Sequence, residues 1–176
     1  PAGLFPPEFG ADGRARCTAC GACARACPAG ALKALIHEMT VEEVVRRVER
    51  DAIFFRNSGG GVTFSGGEPT VQAGFLRALA GRLYDRGISL CMETCGFFEW
   101  DAVSDILAKL DRVLYDIKHM DPAIHKELTG VFNERILDNC ARLGKLGIPV
   151  TVRVPAIRGV TATRENLEAT AAFMEE

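Results

Sequence analysis

The sequence predicts an α/β fold in which short parallel strands alternate with helices, and three observations predict it. From Glu38 onward, segments with a helical apolar period alternate with short β-prone runs, the pattern of βαβ units. The helical segments are mostly 10–15 residues long, the length a crossover between parallel strands requires. The first 36 residues differ in kind: they are rich in Pro, Gly, Ala and Cys and carry no long periodic segment. Two domains are therefore expected, 1–36 and 37–176. Four strand candidates follow residue 58, too few to close a barrel of eight, so the sheet is predicted to be open or incomplete.

Each element has its own signal. Thr40 with Glu43 forms a capping-box pattern, and Val41, Val44, Val45 and Val48 fall on one helical face. Residues 59–65 read as a short β-prone segment ending in Gly66-Gly67-Glu68-Pro69. Residues 71–86 read as a helix with Phe75, Leu79 and Leu83 on one side and Gly87 as its stop. A strand is predicted over 88–93, a helix over 100–110 and a second short strand over 113–117. A helix over 133–146, a strand over 150–157 and a last helix capped by Thr163 complete the alternation.

Composition narrows the function classes. Hydrophobic residues make up 48% and charged residues 25%, the balance of an ordinary globular protein. The net charge is −2, with acids and bases mixed and no Lys/Arg run, which argues against nucleic-acid binding. No uncharged run approaches the roughly 18 residues of a membrane span, and no signal peptide is visible. The chain opens on Pro1 rather than Met, and a missing N-terminal part is expected.

Cysteine carries the strongest chemical signal. Four of the seven cysteines lie within eleven residues, Cys17-Thr-Ala-Cys20-Gly-Ala-Cys23-Ala-Arg-Ala-Cys27-Pro28. A disulfide framework spreads its cysteines to staple distant segments, so this clustering points to a metal centre in a reducing, cytoplasmic setting. The C-x2-C-x2-C-x3-C-P spacing is the bacterial ferredoxin run for a [4Fe–4S] cluster. A zinc knuckle is the alternative, but it usually brings two separated Cys/His pairs. In two-cluster ferredoxins the fourth cysteine ligates the other cluster, and no second run exists here. Either Cys27 closes the cluster of Cys17, Cys20 and Cys23, or its proper partner is lost. Cys91 reads as a core thiol and Cys140 as helix packing. His37, His119 and His125 lack metal-ligand spacing and read as structural or surface residues.

The Ser65-Gly66-Gly67-Glu68-Pro69 turn is weaker by itself. Glycine lets the backbone approach a ligand closely, and Glu68 supplies an anion suited to a ligand ammonium. A tight turn with a solvated glutamate accounts for these residues equally well.

Together the two motifs carry a resemblance. A ferredoxin-type run, a helix and then GGGVTFSGGEPT resemble the radical S-adenosylmethionine activating enzymes of glycyl radical enzymes, the pyruvate formate-lyase activase type with a ferredoxin insert. The resemblance continues through Met92-Glu93-Thr94-Cys95-Gly96-Phe97 and Leu114-Tyr115-Asp116-Ile117-Lys118-His119-Met120. It extends through His125-Lys126-Glu127-Leu128-Thr129-Gly130-Val131 to Val152-Arg153-Val154-Pro155.

That resemblance implies a fold, cofactors, partners and a site. The fold is a partial radical S-adenosylmethionine barrel behind a partial ferredoxin-like segment. The cofactors are a [4Fe–4S] cluster and S-adenosylmethionine; the partners are a glycyl radical enzyme and a flavodoxin or ferredoxin electron donor. By matching position, Gly66, Gly67 and Glu68 hold the methionyl amino group, and Glu93 and Thr94 form a strand-end pair near the cofactor. Asp116 and Lys118 match the next strand end, with Lys118 facing the cofactor carboxylate, and Arg153 matches a basic residue on the following strand. A strand-end ion pair (Asp116, Lys118) and a surface charge (Arg153) are the plain alternatives. No catalytic side chain is assigned.

The sequence also departs from the family. The C-x3-C-x2-C triad is absent: Cys91 and Cys95 have its first spacing, but Phe98 stands at the third position. A first ferredoxin run is absent too. Truncation at both ends is the simplest expectation, and natural loss is the alternative. An electron-transfer module and a radical S-adenosylmethionine enzyme acting on a small molecule are the rival functions.

Overall fold

The computed structural model describes residues 20–33 and 37–175. The chain falls into two compact units, Pro1–Met39 and Thr40–Glu176.

In the first unit, Gly21 takes a left-handed conformation (φ 68°) that feeds a single helical turn, α1 (Ala22–Ala26). Arg25 N–H donates to the Gly21 carbonyl at 3.1 Å. Cys27 caps the turn in an extended conformation. No periodicity announces this turn, because five residues of alanine, cysteine and arginine are too few to show one.

The second unit is a layered α/β structure. Its sheet contains β1 (Gly61–Phe64), β2 (Ser89–Thr94), β3 (Arg112–Asp116) and β4 (Val150–Arg153), all parallel and in chain order. Pairing aligns Phe64 with Met92, Met92 with Val113, Tyr115 with Val152 and Asp116 with Arg153. Side chains alternate across a strand, and here the alternation is sharp. Phe64, Leu90, Met92, Val113 and Tyr115 are buried on one face. Cys91, Glu93, Leu114, Asp116 and Arg153 on the other face stay partly exposed. Cys91 is therefore not a core thiol: it lies on the half-open face, because its period puts it with Glu93 rather than with Met92.

Helices cover the buried face. The Thr40 hydroxyl accepts from Glu43 N–H at 3.3 Å while the Glu43 carboxylate accepts from Thr40 N–H at 2.7 Å, the capping box that starts α2 (Val41–Glu49). A separate helix, α3 (Ala52–Ser58), follows, which the sequence reading did not distinguish; left-handed Gly59 ends it. The expected helix over 71–86 is a 3₁₀ turn (Pro69–Gln72) followed by α4 (Ala73–Tyr84). Next come α5 (Trp100–Leu107), α6 (Pro122–Thr129), α7 (Glu134–Lys145) and α8 (Arg164–Glu175). The α6 helix starts at Pro122 behind an Asp121 cap and is too short for its period to announce it. Leu79, Leu83, Val103, Leu107, Ile136 and Leu143 pack into one core with the sheet. Strand β4 stops at Arg153 rather than continuing to 157, since Pro155 cannot donate to a ladder.

Tyr115 sets the height of the loop after β2. It is fully buried, and its hydroxyl donates to the Ile136 carbonyl at 2.7 Å, tying β3 to α7. Gly96 lies on that hydroxyl at φ 77°, and a Cβ there would overlap the ring and its oxygen. Tyr115→Phe should cost about 1 kcal/mol for the lost bond. Gly96→Ala should cost about 2 kcal/mol or more, combining left-handed strain with overpacking. Urea unfolding of the two variants checks the order; an alanine tolerated better than the phenylalanine would remove Tyr115 from this role.

Candidate functional site

All four strands run the same way, so their C-terminal ends form one rim, the place where α/β folds bind ligands. Five polar side chains meet there in an unbroken chain. Ser65, just past β1, donates its hydroxyl to Glu93 of β2 at 2.9 Å. Arg153 of β4 reaches across β3 to Glu93 (2.5 Å) and also contacts Asp116 (2.7 Å from the same terminal nitrogen, 2.9 Å from Nε). Lys118 closes the chain on the second oxygen of Asp116 at 2.7 Å. Glu93, Asp116, Lys118 and Arg153, placed at strand ends by the resemblance, are joined by these contacts, and Glu68 reaches the end of β2 beside them. Asp116 and Lys118 do form a strand-end ion pair, and Arg153 is paired to two carboxylates.

These groups remain within reach of a ligand, with side chains 22–37% exposed. Their electrostatics follow from the pairing. The Arg153 hydrogen bond, then that of Ser65, holds the Glu93 carboxyl below the usual range. Burial pushes Asp116 upward, but hydrogen bonds from Lys118 and Arg153 outweigh it and lower it overall. Arg153 is raised in turn by Glu93 and Asp116.

Glu68 is not the solvated glutamate that the sequence allowed. Its carboxylate accepts from the Thr70 hydroxyl (2.8 Å), the Thr94 hydroxyl (2.9 Å to each oxygen) and Cys95 N–H (2.9 Å). Glu68 thus clamps the turn after β1 to the end of β2. Thr94 is buried, and its hydroxyl also accepts from Gly96 N–H at 3.0 Å. Gly66, at φ 98°, and Gly67 are exposed beside this clamp, with open space where a Cβ would stand. Their backbone groups are the part of the turn left accessible.

The remaining thiols divide by environment. Cys95 is raised mainly by burial, and burial pushes Cys140 up to about 11. In the first unit Cys20 and Cys23 are exposed. The Cys27 thiol is lowered chiefly by Leu32 N–H, which donates to its sulfur at 3.4 Å. Cys17 lies outside the described residues. Among the described residues no three His, Cys, Asp or Glu side chains are gathered closely enough to hold a metal ion, so the ligand set of Cys17, Cys20, Cys23 and Cys27 rests on its spacing. No helix among the described residues is long and apolar enough to cross a membrane.

Sequence reasoning missed three buried asparagines, Asn133, Asn139 and Asn166. Asn139 carried a signal: it sits in the apolar stripe of Ile136, Cys140 and Leu143 on α7, where a polar side chain needs a partner.

Because Glu93 and Asp116 titrate below their unfolded values, the pairing stabilises the fold above about pH 4 and is lost as pH falls through the lowered folded values. Arg153→Met should therefore be less stable than the parent at pH 7, with the gap closing below about pH 4. Denaturant melts across pH 3–7 read this directly; a gap independent of pH would show that the ion pairs carry none of it.

The family model of the Radical SAM superfamily matches residues 14–174. The isethionate sulfite-lyase activating enzyme of Nitratidesulfovibrio vulgaris is 45% identical over 166 residues, covering 93% of this chain and 54% of that protein. The (2S)-3-sulfopropanediol dehydratase activating enzyme of Klebsiella oxytoca is 40% identical over 158 residues, covering 90% and 50%. This chain spans about half the length of the curated relatives it matches. A crystal structure of a domain of pyruvate-formate lyase-activating enzyme from Bacteroides vulgatus superposes with a TM-score of 0.60 at 34% identity, covering 65% of this chain and 71% of that one. The parallel sheet is accordingly part of a radical S-adenosylmethionine barrel, and the chain belongs to the radical S-adenosylmethionine superfamily, among the activating enzymes of glycyl radical enzymes, which use a [4Fe–4S] cluster and S-adenosylmethionine.

Proposed function

We propose that this chain serves in an activase that installs a glycyl radical on a partner enzyme, working in the cytoplasm with a flavodoxin or ferredoxin as electron donor. The observation that carries the reading is the linked Ser65–Glu93–Arg153–Asp116–Lys118 chain at the C-terminal rim. Bound at this rim beside a reduced [4Fe–4S] cluster, S-adenosylmethionine would supply one-electron radical chemistry for hydrogen-atom removal from the partner's glycine.

The residues of this chain bind and orient. Their donor set fits an amino acid cofactor: carboxylates suit its ammonium, and an ammonium and a guanidinium suit its carboxylate. Glu93 and the exposed backbone of Gly66 and Gly67 face the amino end. Lys118 and Arg153 exchange part of their bonding to Asp116 for the cofactor carboxylate. Glu68 and Thr94 hold the turn that carries Gly66 and Gly67, so Glu68 acts on the amino group through that turn. Cys17, Cys20, Cys23 and Cys27 are the proposed ligands of an accessory [4Fe–4S] cluster in the segment 1–36. The electron-transfer alternative leaves the rim chain without a purpose.

Two outcomes test the reading. Anaerobic reconstitution of this chain should yield at most one [4Fe–4S] cluster, and dithionite with S-adenosylmethionine should release no 5′-deoxyadenosine above a protein-free control. The sequence contains no C-x3-C-x2-C triad to leave one iron open for the cofactor. A version of the protein that carries such a triad should turn over under the same conditions. In that protein Lys118→Met and Arg153→Met should each weaken S-adenosylmethionine binding by about tenfold or more, the scale of one charge-assisted hydrogen bond. Unchanged affinity in both variants would move the cofactor away from this rim.

A further inference from the structure

Three buried amide side chains form a second layer of contacts, to the loops that leave the charged rim. Asn133 occupies the N-cap position of α7 yet makes no capping bond. Its side-chain amide donates instead to the carbonyls of His119 (3.0 Å) and Met120 (2.7 Å). Asn166 of α8 uses both ends: its oxygen accepts from Met120 N–H at 2.8 Å and its nitrogen donates to the Thr161 carbonyl at 2.8 Å. Asn139 of α7 donates to the carbonyls of Gly96 and Phe98 at 2.9 Å each. All three are at most 2% exposed.

The targets share one property. Gly96 and Phe98 follow Glu93 and Thr94; His119 and Met120 follow Asp116 and Lys118; Thr161 lies in the loop after Arg153. Every backbone atom contacted belongs to a loop leaving the rim, and those atoms bond outside the strand ladders. A buried amide is costly unless satisfied. Asparagine is also the short side chain able to present a donor and an acceptor together, as Asn166 does. An asparagine that forgoes its local cap to bond a loop contributes to that loop rather than to its own helix.

We infer that Asn133, Asn139 and Asn166 are positioning residues that fix the three rim loops, with Asn133 and Asn166 setting where Lys118 stands against Asp116. The inference rests on the rim being the cofactor site. Binding there must loosen the ion pairs that otherwise join β2, β3 and β4 across the opening. The amide layer keeps the loop backbones in place while those pairs exchange partners.

The experiment needs no ligand for its main readout and uses this chain. In the parent protein, Met120 N–H should resist amide exchange as strongly as the neighbouring β3 amides, although it lies in a loop. Asn166→Leu keeps the branched heavy-atom skeleton and removes both bonds. It should expose Met120 N–H and move the Asp116 carboxyl titration, followed by carbon NMR, upward toward an ordinary aspartate. Leu107→Ala opens a cavity at a fully buried apolar residue of α5 that makes none of the amide contacts, and so supplies a destabilised control. It should leave the Asp116 titration in place. Should Asn166→Leu fail to fold, the parent's Met120 exchange decides the matter. Exchange at loop rates, an unmoved Asp116 titration in Asn166→Leu, or an equal shift in Leu107→Ala would overturn the inference. In the triad-bearing protein Asn166→Leu should weaken S-adenosylmethionine binding by about tenfold, the low end for residues that orient a ligand group through another. If the Asp116 titration shifts while the parent binds no S-adenosylmethionine at this rim, the amide layer stands and the cofactor reading falls.

Discussion

Parallel pairing of four strands in chain order constrains everything else in this protein, because it decides which side chains can meet. Neighbouring strands lie about 4.8 Å apart, so the register that sets Asp116 beside Arg153 makes them direct neighbours on the half-open face. Glu93 shares that face two strands from Arg153. Only a long side chain spans such a gap, and the Arg153 guanidinium does so while still touching Asp116. A one-residue slip of β4 would turn Arg153 into the core and Val152 outward. The burial of Tyr115 and Met92 on the opposite face forbids that slip, so the packed side of the sheet holds the chemistry of the open side in place.

Much of the fold was legible because the strands and long helices obey simple periods. Val41, Val44, Val45 and Val48 share a face of α2, and the Thr40–Glu43 capping box is present atom for atom. What escaped was short or interrupted. The α3 and α6 helices span seven and eight residues, about two turns each, too brief for a period to stand out. Cys91 was misplaced because a cysteine within an apolar run reads as core, whereas alternation in β2 puts it on the half-open face with Glu93.

The site was legible only by resemblance. Gly66, Gly67, Glu68, Glu93, Asp116, Lys118 and Arg153 are ordinary residues individually, and nothing in their local spacing brings them together. The sheet aligns their strand ends, and Glu93 and Arg153 touch although 60 residues separate them. Glu68, read as an anion suited to a ligand ammonium or as a solvated glutamate, shows the limit. Thr70, Thr94 and Cys95 already donate to its carboxylate, and only coordinates reveal which bonds a side chain has already made. Asn139 was legible in principle, as a polar residue in an apolar stripe.

Charge balance is the last link between this geometry and its proposed use. Three carboxylates (Glu68, Glu93 and Asp116) face two cations (Lys118 and Arg153), leaving the rim with an excess negative charge. Glu68 is satisfied by neutral donors alone, so the excess is not cancelled by another side chain. A ligand carrying an ammonium, a carboxylate and a sulfonium brings a net positive charge, which neutralises the rim instead of adding to it. In a partly enclosed setting that difference matters, since an uncompensated charge loses solvation as it is covered. A purely anionic ligand would meet two cations already committed to Glu93 and Asp116 and would leave all three carboxylates beside it. The proposed cofactor, a cationic amino acid derivative, therefore matches the charge of a rim that holds itself together through ion pairs, and the buried asparagines that hold its loops add no charge of their own.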